Sequence, residues 1–278
     1  MRTAALLRPR RWPLPSWQRP VARWLMFLPA AVCALYLIAP LAYFWTRLSW
    51  SSVVPVLSDS RTTSAFRTSL TTSCVATVVM ACFGVPLAYA LARRQLPRVL
   101  GRLATLLVVM PLAFPPLISG IMLIVLFGPY GVAGSFLADR GIEVVNSSLG
   151  IVLAQVFVSA PLVIITARSA FESVSPEYEA AAAIDGAGYW TTFRRITLPL
   201  ASRGIGAGLL LAWMRSLGEF GATIVIAYHP FSLPVFTWVQ LSASGLADAL
   251  PLVLLLLIVG LCASVIAMLT RSWQPMAD

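Results

Sequence analysis

Six apolar stretches, at about 23–45, 68–91, 103–127, 148–166, 204–227 and 250–270, constrain this chain more than anything else in it. Each is close to the roughly 20 residues that an α-helix needs to cross a hydrocarbon core. In lipid, a single run of that length satisfies its backbone N–H and C=O groups only as a helix. The chain is therefore expected to be an all-α integral membrane protein with six transmembrane helices. A content of 59% hydrophobic and 11% charged residues excludes an ordinary soluble domain. The first run is too long for a secretory signal, and no small-residue cleavage site follows it.

Charge supplies the expected orientation. All 20 basic residues are arginines, and the net charge is +10. With the N-terminus inside, fifteen of them fall on the cytoplasmic side: six up to Arg23, four from Arg93 to Arg102, four from Arg168 to Arg203, and Arg271. Four fall outside: Arg47, Arg61, Arg67 and Arg140. The positive-inside rule then puts both termini and the loop at about 170–200 in the cytoplasm. Residues 1–22 read as a basic cytoplasmic tail, and 23–278 as the membrane domain. Apart from Arg215, the basic residues lie in the tail and the connections, where the positive-inside rule accounts for them, so no nucleic acid partner is expected. Cys33, Cys74, Cys82 and Cys262 sit in apolar runs without metal-ligand spacing and read as packing residues. His229 stands in a loop. No catalytic triad, metal cluster or glycine-rich phosphate loop is present, so neither a catalytic nor a metal site is expected.

The longest polar insert runs from Glu177 to Pro199. Ser175 and Pro176 read as a helix start, with Glu177 and Glu179 in the positively polarised first turn. Ala180 and Ala181 open a four-alanine run, and Gly186, just after Asp185, ends the helix with Gly188. A second short helix is expected over 189–196, ahead of Leu198 and Pro199 at the next span. A helix–glycine–helix knob at a membrane surface is what docking to a soluble partner requires.

Two features lie within the membrane. In the fifth run Arg215 and Glu219 are four apart, so on a continuous helix they share a face and can pair. Counted from Arg203 at about 1.5 Å per residue, they lie roughly 18 and 24 Å along the helix. Ionisable groups at such depth mark either a functional path or an ion pair that glues helices. In the third run Pro111, Pro115 and Pro116 predict a kink. Irregular backbone there is tolerated against protein or a water-filled cavity. These residues point to runs three and five as path lining, with a packing-only kink as the alternative. Gly204 and Gly208, four apart, and Gly84 with Pro86 read as close-packing positions. Trp45, Trp50 and Trp238 fit interfacial belts.

Gly186, Ile196, Leu198 and Pro199 resemble, in their spacing, the EAA loop of type I ABC importer permeases. The family's glutamate position, six before the glycine, is Ala180 here, and Glu179 lies one residue earlier. Within the family, Arg215-Ser-Leu-Gly-Glu219-Phe-Gly-Ala222 is similar to the fifth span of the molybdate/tungstate/sulfate subgroup. Residues 232–241 and 153–164 resemble further segments of that subgroup, and the likeness runs over roughly 65–265. It implies a non-enzymatic permease subunit that imports molybdate or a related tetrahedral oxyanion by alternating access. The implied partners are a cytoplasmic ABC ATPase dimer, a second permease subunit, and an extracytoplasmic binding protein, with lipid around them. The six-run pattern occurs once, so the path needs a second permease subunit, identical or related, and an identical copy is the expectation. ATP and Mg belong to the ATPase; this chain binds no cofactor. The alternatives are a sulfate or other small-solute permease half acting as a heterodimer, and a secondary transporter coupled through Arg215 and Glu219. The latter calls for inverted internal repeats, which the sequence lacks. A non-transporting membrane assembly or signalling protein leaves the mid-membrane charges unexplained.

Overall fold

A computed structural model describes residues 18–272. It falls into two compact units, residues 1–49 and 50–278. The first holds helix α1 (Gln18–Arg47). This helix already includes residues 18–22, which the sequence assigned to the tail. The rest of that tail, 1–17, lies outside the described residues.

The second unit runs through α2 (Trp50–Ser58), α3 (Ser60–Ala92), α4 (Arg98–Ala113), α5 (Pro116–Phe127), α6 (Val132–Ala138) and α7 (Ser148–Glu172). After α8 (Pro176–Ile184) and α9 (Tyr189–Thr192), a π-helical segment, Phe193–Thr197, leads directly into α10 (Leu198–Leu217). The chain ends with α11 (Gly221–Ile226), α12 (Leu233–Ser244) and α13 (Leu246–Ser272). Among the described residues, five stretches are long and apolar enough to cross a membrane, and α4 with α5 makes a sixth if that bent pair counts as one span.

The structure differs from the span pattern at four places. The connection holding Asp59 and Arg61 is helical almost throughout. Asp59 accepts the Arg61 N–H at 2.8 Å and caps α3, so Arg61 and Arg67 lie within that helix. The kink expected in the third run is a break: the chain turns by 120° between α4 and α5. Proline disfavours the α region for the residue before it, so Pro115 and Pro116 hold Phe114 and Pro115 extended. Pro116 then starts α5, where its missing N–H costs no helical bond. The fifth run is likewise interrupted, at residues 218–220, between α10 and α11. The segment around 232–241 forms α12, an element that the span pattern had left out.

Packing centres on α7. On one side it meets α3 and α10 through Met80, Ala88, Val163, Ala167, Phe171 and Ile205. On the other it meets α5 and α11 through Leu123, Ile151, Ala154, Ala222 and Ile226. Between helices in lipid, small residues give van der Waals contact that bulky ones block. A Cβ on Gly204 would stand 2.5 Å from that of Ala170, and one on Gly208 would collide with Thr166 Oγ1. A Cβ on Gly84 would press on Ile164 at 3.3 Å. The glycine positions are thus packing positions.

Candidate functional site: a braced docking loop and a paired charge at a helix break

The loop after α7 folds as its residues dictate. Ser175 Oγ accepts the Glu177 N–H at 3.4 Å, and Pro176 takes the first helical position. At the other end Asp185 is the C-cap, and Gly186 adopts φ +81°. The Ala187 N–H reaches Ala182 C=O at 2.9 Å and the Gly186 N–H reaches Ala183 C=O at 3.1 Å, the paired bonds of a Schellman ending. Nothing lies within 4 Å of where a Gly186 Cβ would be, so backbone conformation alone requires glycine there.

The two faces of α8 differ. Ala182 is buried, whereas Glu177, Ala180, Ala181 and Asp185 are exposed. Glu179 turns inward. Its Oε1 accepts from Arg93 Nε at 3.0 Å, Arg93 Nη2 at 2.8 Å and the buried Thr197 hydroxyl at 2.8 Å. Arg93 also donates to Val174 C=O at 3.1 Å. One carboxylate oxygen thus ties α8 to the end of α3 and to the π segment that starts α10. Tyr89 packs edge-on against the fully buried Phe171, and Phe193 lies 4.7 Å from Tyr89. Gln95 Nε2 donates to the Tyr189 hydroxyl at 2.7 Å. Ile196 is half-buried, Leu198 joins the α3–α7–α10 core, and Pro199 is exposed at the start of α10. The outward side presents Tyr178, Trp190 and Ile184, the last 87% exposed. Three large apolar side chains on a polar loop are thus left uncovered among the described residues.

The second feature lies at the break between α10 and α11. Arg215 occupies the last turn of α10, and Glu219 follows the Gly218 C-cap. The two pair although no continuous helix joins them: Arg215 Nη1 is 2.5 Å from Glu219 Oε2. That contact is an ion pair without hydrogen-bond alignment, so Oε2 accepts no hydrogen bond. Oε1 accepts the Ala222 N–H at 2.8 Å and caps α11. The Glu219 side chain is wholly buried, while that of Arg215 is 34% exposed. The hydroxyls of Ser119, Ser216 and Thr223 are buried without partners.

The two breaks meet. A Cβ on Gly221 would lie 2.9 Å from that of Pro116, and one on Gly120 would lie 2.8 Å from Ala222 C=O. Pro115 and Pro116 are therefore beside the Glu219 break. Pro111 lies before the bend, within α4, which packs on α7. Sequence reasoning missed Arg93 and Thr197, whose role depends on partners 86 and 18 residues away. It also missed the Ser119, Ser216 and Thr223 hydroxyls, which carry no local signal.

Residues 84–275 match the family described as "Binding-protein-dependent transport system inner membrane component". The chain belongs to this family. It is 38% identical, over 91% of its length and 92% of the relative's, to the "Probable molybdenum ABC transporter permease protein" of Haloferax volcanii. It is 36% identical to the "Molybdenum transport system permease protein ModB" of Mycobacterium tuberculosis, covering 74% of this chain and 76% of that one. For the "Sulfate transport system permease protein CysT" of Escherichia coli the identity is also 36%, covering 70% and 71%. A bacterial ABC transporter involved in the import of the acidic polysaccharide alginate superposes with a TM-score of 0.73 at 19% identity, covering 93% of this chain and 98% of that one. The chain is a multi-pass membrane permease of the ABC importer class, with the type I fold and of the molybdate/tungstate/sulfate subgroup.

Proposed function

We propose that this permease carries molybdate or a closely related tetrahedral oxyanion across the cell membrane. A cytoplasmic ATPase dimer drives it, an extracytoplasmic binding protein loads it, and a second copy of this chain completes the path. The 38% identity, across nearly the whole chain, to a permease named for molybdenum supports the substrate most strongly. The exposed Tyr178, Ile184 and Trp190 support the loop as the ATPase contact.

The geometry offers a route for the motion. When the ATPase dimer closes, it displaces α8. Arg93 and Thr197, held by Glu179, then pass the displacement to α3 and α10 together. The α10 displacement arrives at the Arg215–Glu219 break, which abuts the Pro115–Pro116 break. Two discontinuous helices in contact can shift without disrupting a continuous backbone ladder. Arg215 attracts a dianion, and Glu219, two residues beyond α10, offsets that attraction so that the path releases what it admits.

The orientation belongs to the same reading. α3, at 33 residues, is about 50 Å long at 1.5 Å per residue, so its ends lie on opposite sides of a bilayer. Its Arg93 end carries the docking loop, and its Asp59 end is remote from it. Reporters fused after Arg94 or within 170–200 are expected to report cytoplasm, and those near Asp139 or His229 the outside. A reversed pattern rules out ATPase docking through α8.

Function is tested by reconstituting the chain in proteoliposomes with its ATPase and binding protein. ATP-dependent uptake of labelled molybdate is expected, with tungstate competing. Preferred uptake of sulfate establishes the second reading, which the equal 36% identity to a sulfate permease supports. Uptake driven by an ion gradient without ATP overturns both.

A further inference from the structure

A separate cavity of about 630 Å³ lies where the end of α3, the start of α4 and the end of α7 come together. Arg94, Arg98, Arg102 and Arg168 line it, with Gly101 and Thr105 between them. Only Arg168 has a carboxylate partner, Glu172 at 2.8 Å, and its Nη1 also lies 3.4 Å from Thr105 Oγ1. Among the described residues Arg94, Arg98 and Arg102 make no ion pair. Arg98 and Arg102 are four apart on one helix, a like-charge spacing that destabilises a helix unless an anion sits between the charges. The positive-inside tendency accounts for arginines in this connection but not for their convergence on one cavity.

Two independent features accompany the charge. The α3 ending has the same hydrogen bonds as the α8 ending: Gln95 N–H to Ala90 C=O at 3.0 Å, and Arg94 N–H to Leu91 C=O at 3.3 Å. At α8 the left-handed position is glycine; at α3 it is Arg94, at φ +51°. A strained arginine in place of the usual glycine aims a guanidinium from the turn itself, a pattern typical of functional sites. The second feature is the start of α4. Pro97, its N-cap, supplies no side-chain cap, so the first amides remain available to an anion.

The surroundings indicate which anion. Helix ends gather here, as they do at headgroup level. Val99, Leu103 and Leu106 flank the arginine face of α4 and are exposed. A phosphate at the arginines with acyl chains along that apolar flank fits both surfaces, and guanidinium forks match phosphate oxygens bidentately. We propose that this cavity is a binding site for the phosphate of an anionic phospholipid, anchoring α4 and the α3–α4 turn at the membrane surface. The shared chemistry is a tetrahedral phosphate group, so a free oxyanion is the competing source.

The test uses the full-length permease in phosphatidylcholine–detergent micelles and follows its thermal unfolding midpoint as phosphatidylglycerol is added. Phosphatidylglycerol is expected to raise the midpoint. The half-saturating concentration should rise about tenfold or more in Arg98→Gln/Arg102→Gln, the change expected on losing two charge-assisted phosphate contacts. Arg140→Gln, in the α6–α7 connection, should leave it unchanged. Arg94→Gly keeps the experiment decisive if the double variant folds poorly, because glycine relieves the left-handed backbone. It should be at least as stable as wild type without lipid and bind phosphatidylglycerol more weakly. Equal responses in wild type and Arg94→Gly overturn the proposal. So does a midpoint shift reproduced by inorganic phosphate or molybdate alone and lost in the same variants, which assigns the cavity to a free oxyanion.

Discussion

Glu179 and Glu219 each face an arginine, yet the two pairs are built differently. Glu179 gathers three donors on one oxygen, from Arg93 and Thr197, with side-chain exposures of 13% for Arg93 and 22% for Glu179. Its second oxygen is left to solvent. Glu219 is wholly buried; one oxygen caps α11 and the other touches Arg215 without an aligned hydrogen bond. Ser119, Ser216 and Thr223 nearby leave their hydroxyls unpaired. A fully satisfied, partly hydrated pair holds one geometry, as a brace must. The Glu219 pair is instead buried at a helix break, where the arginine is the partner of one oxygen and a backbone N–H that of the other. The same two residue types thus make a partly hydrated tie between three elements in one place and a buried contact at a helix break in the other.

The sharpest way to break this contrast is Arg215→Met. It strands the Glu219 charge in a low-dielectric site and is expected to cost about 3–5 kcal/mol, seen as loss of folded protein. Arg215→Met/Glu219→Gln should recover folding. If the pair is structural glue, uptake recovers with it; if Arg215 binds the oxyanion, uptake stays lost. Single losses that simply add would show that the pair does not interact.

Arg93→Met is the matching change in the brace. It removes two of the three donors to Glu179, worth about 1.5–3 kcal/mol for bonds to a charged group. Because Glu179 reaches solvent, the protein should still fold, with ATP hydrolysis continuing while uptake falls. Hydrolysis and uptake falling in strict proportion would count against transmission through Glu179.

Gly186→Leu is a milder change at the same loop. A leucine at φ +81° costs about 1–2 kcal/mol and deforms the knob without a clash. Uncoupling at normal membrane levels is expected, with Gly186→Asn closer to wild type because asparagine tolerates that conformation. Wild-type uptake in the leucine variant, at equal expression, argues against the knob. Gln95→Ala should have the smallest effect, about 1 kcal/mol, since it removes one exposed hydrogen bond to Tyr189. A large uncoupling there would make Gln95, not Glu179, the principal tie.

Much of the site was legible in sequence because its signals are local. Ser175, Pro176 and Gly186 declare a helix start and stop through backbone chemistry that depends on few neighbours. Gly204 and Gly208 declare close packing. The destination of Glu179 was not legible. Its displacement by one position from the family's glutamate left its partner open, and the partner lies at the end of a different span. The pairing of Arg215 with Glu219 was expected from helical spacing, yet it arises at a break where Glu219 caps the next helix.

That the chain is a set of membrane-crossing helices, where its polar knob lies, and which residue types stand in the apolar runs could all be read without a structure. Hydrophobic run length, arginine placement and glycine–proline punctuation act over a few residues, so they survive without any tertiary context. The 120° turn at the proline pair, its contact with the Glu219 break and the tie from Arg93 to the knob emerge from the folded chain alone. Those outcomes depend on which side chains α7 brings together from distant parts of the chain. Such contacts follow from shape and packing among three or more helices, and no single stretch of sequence encodes them.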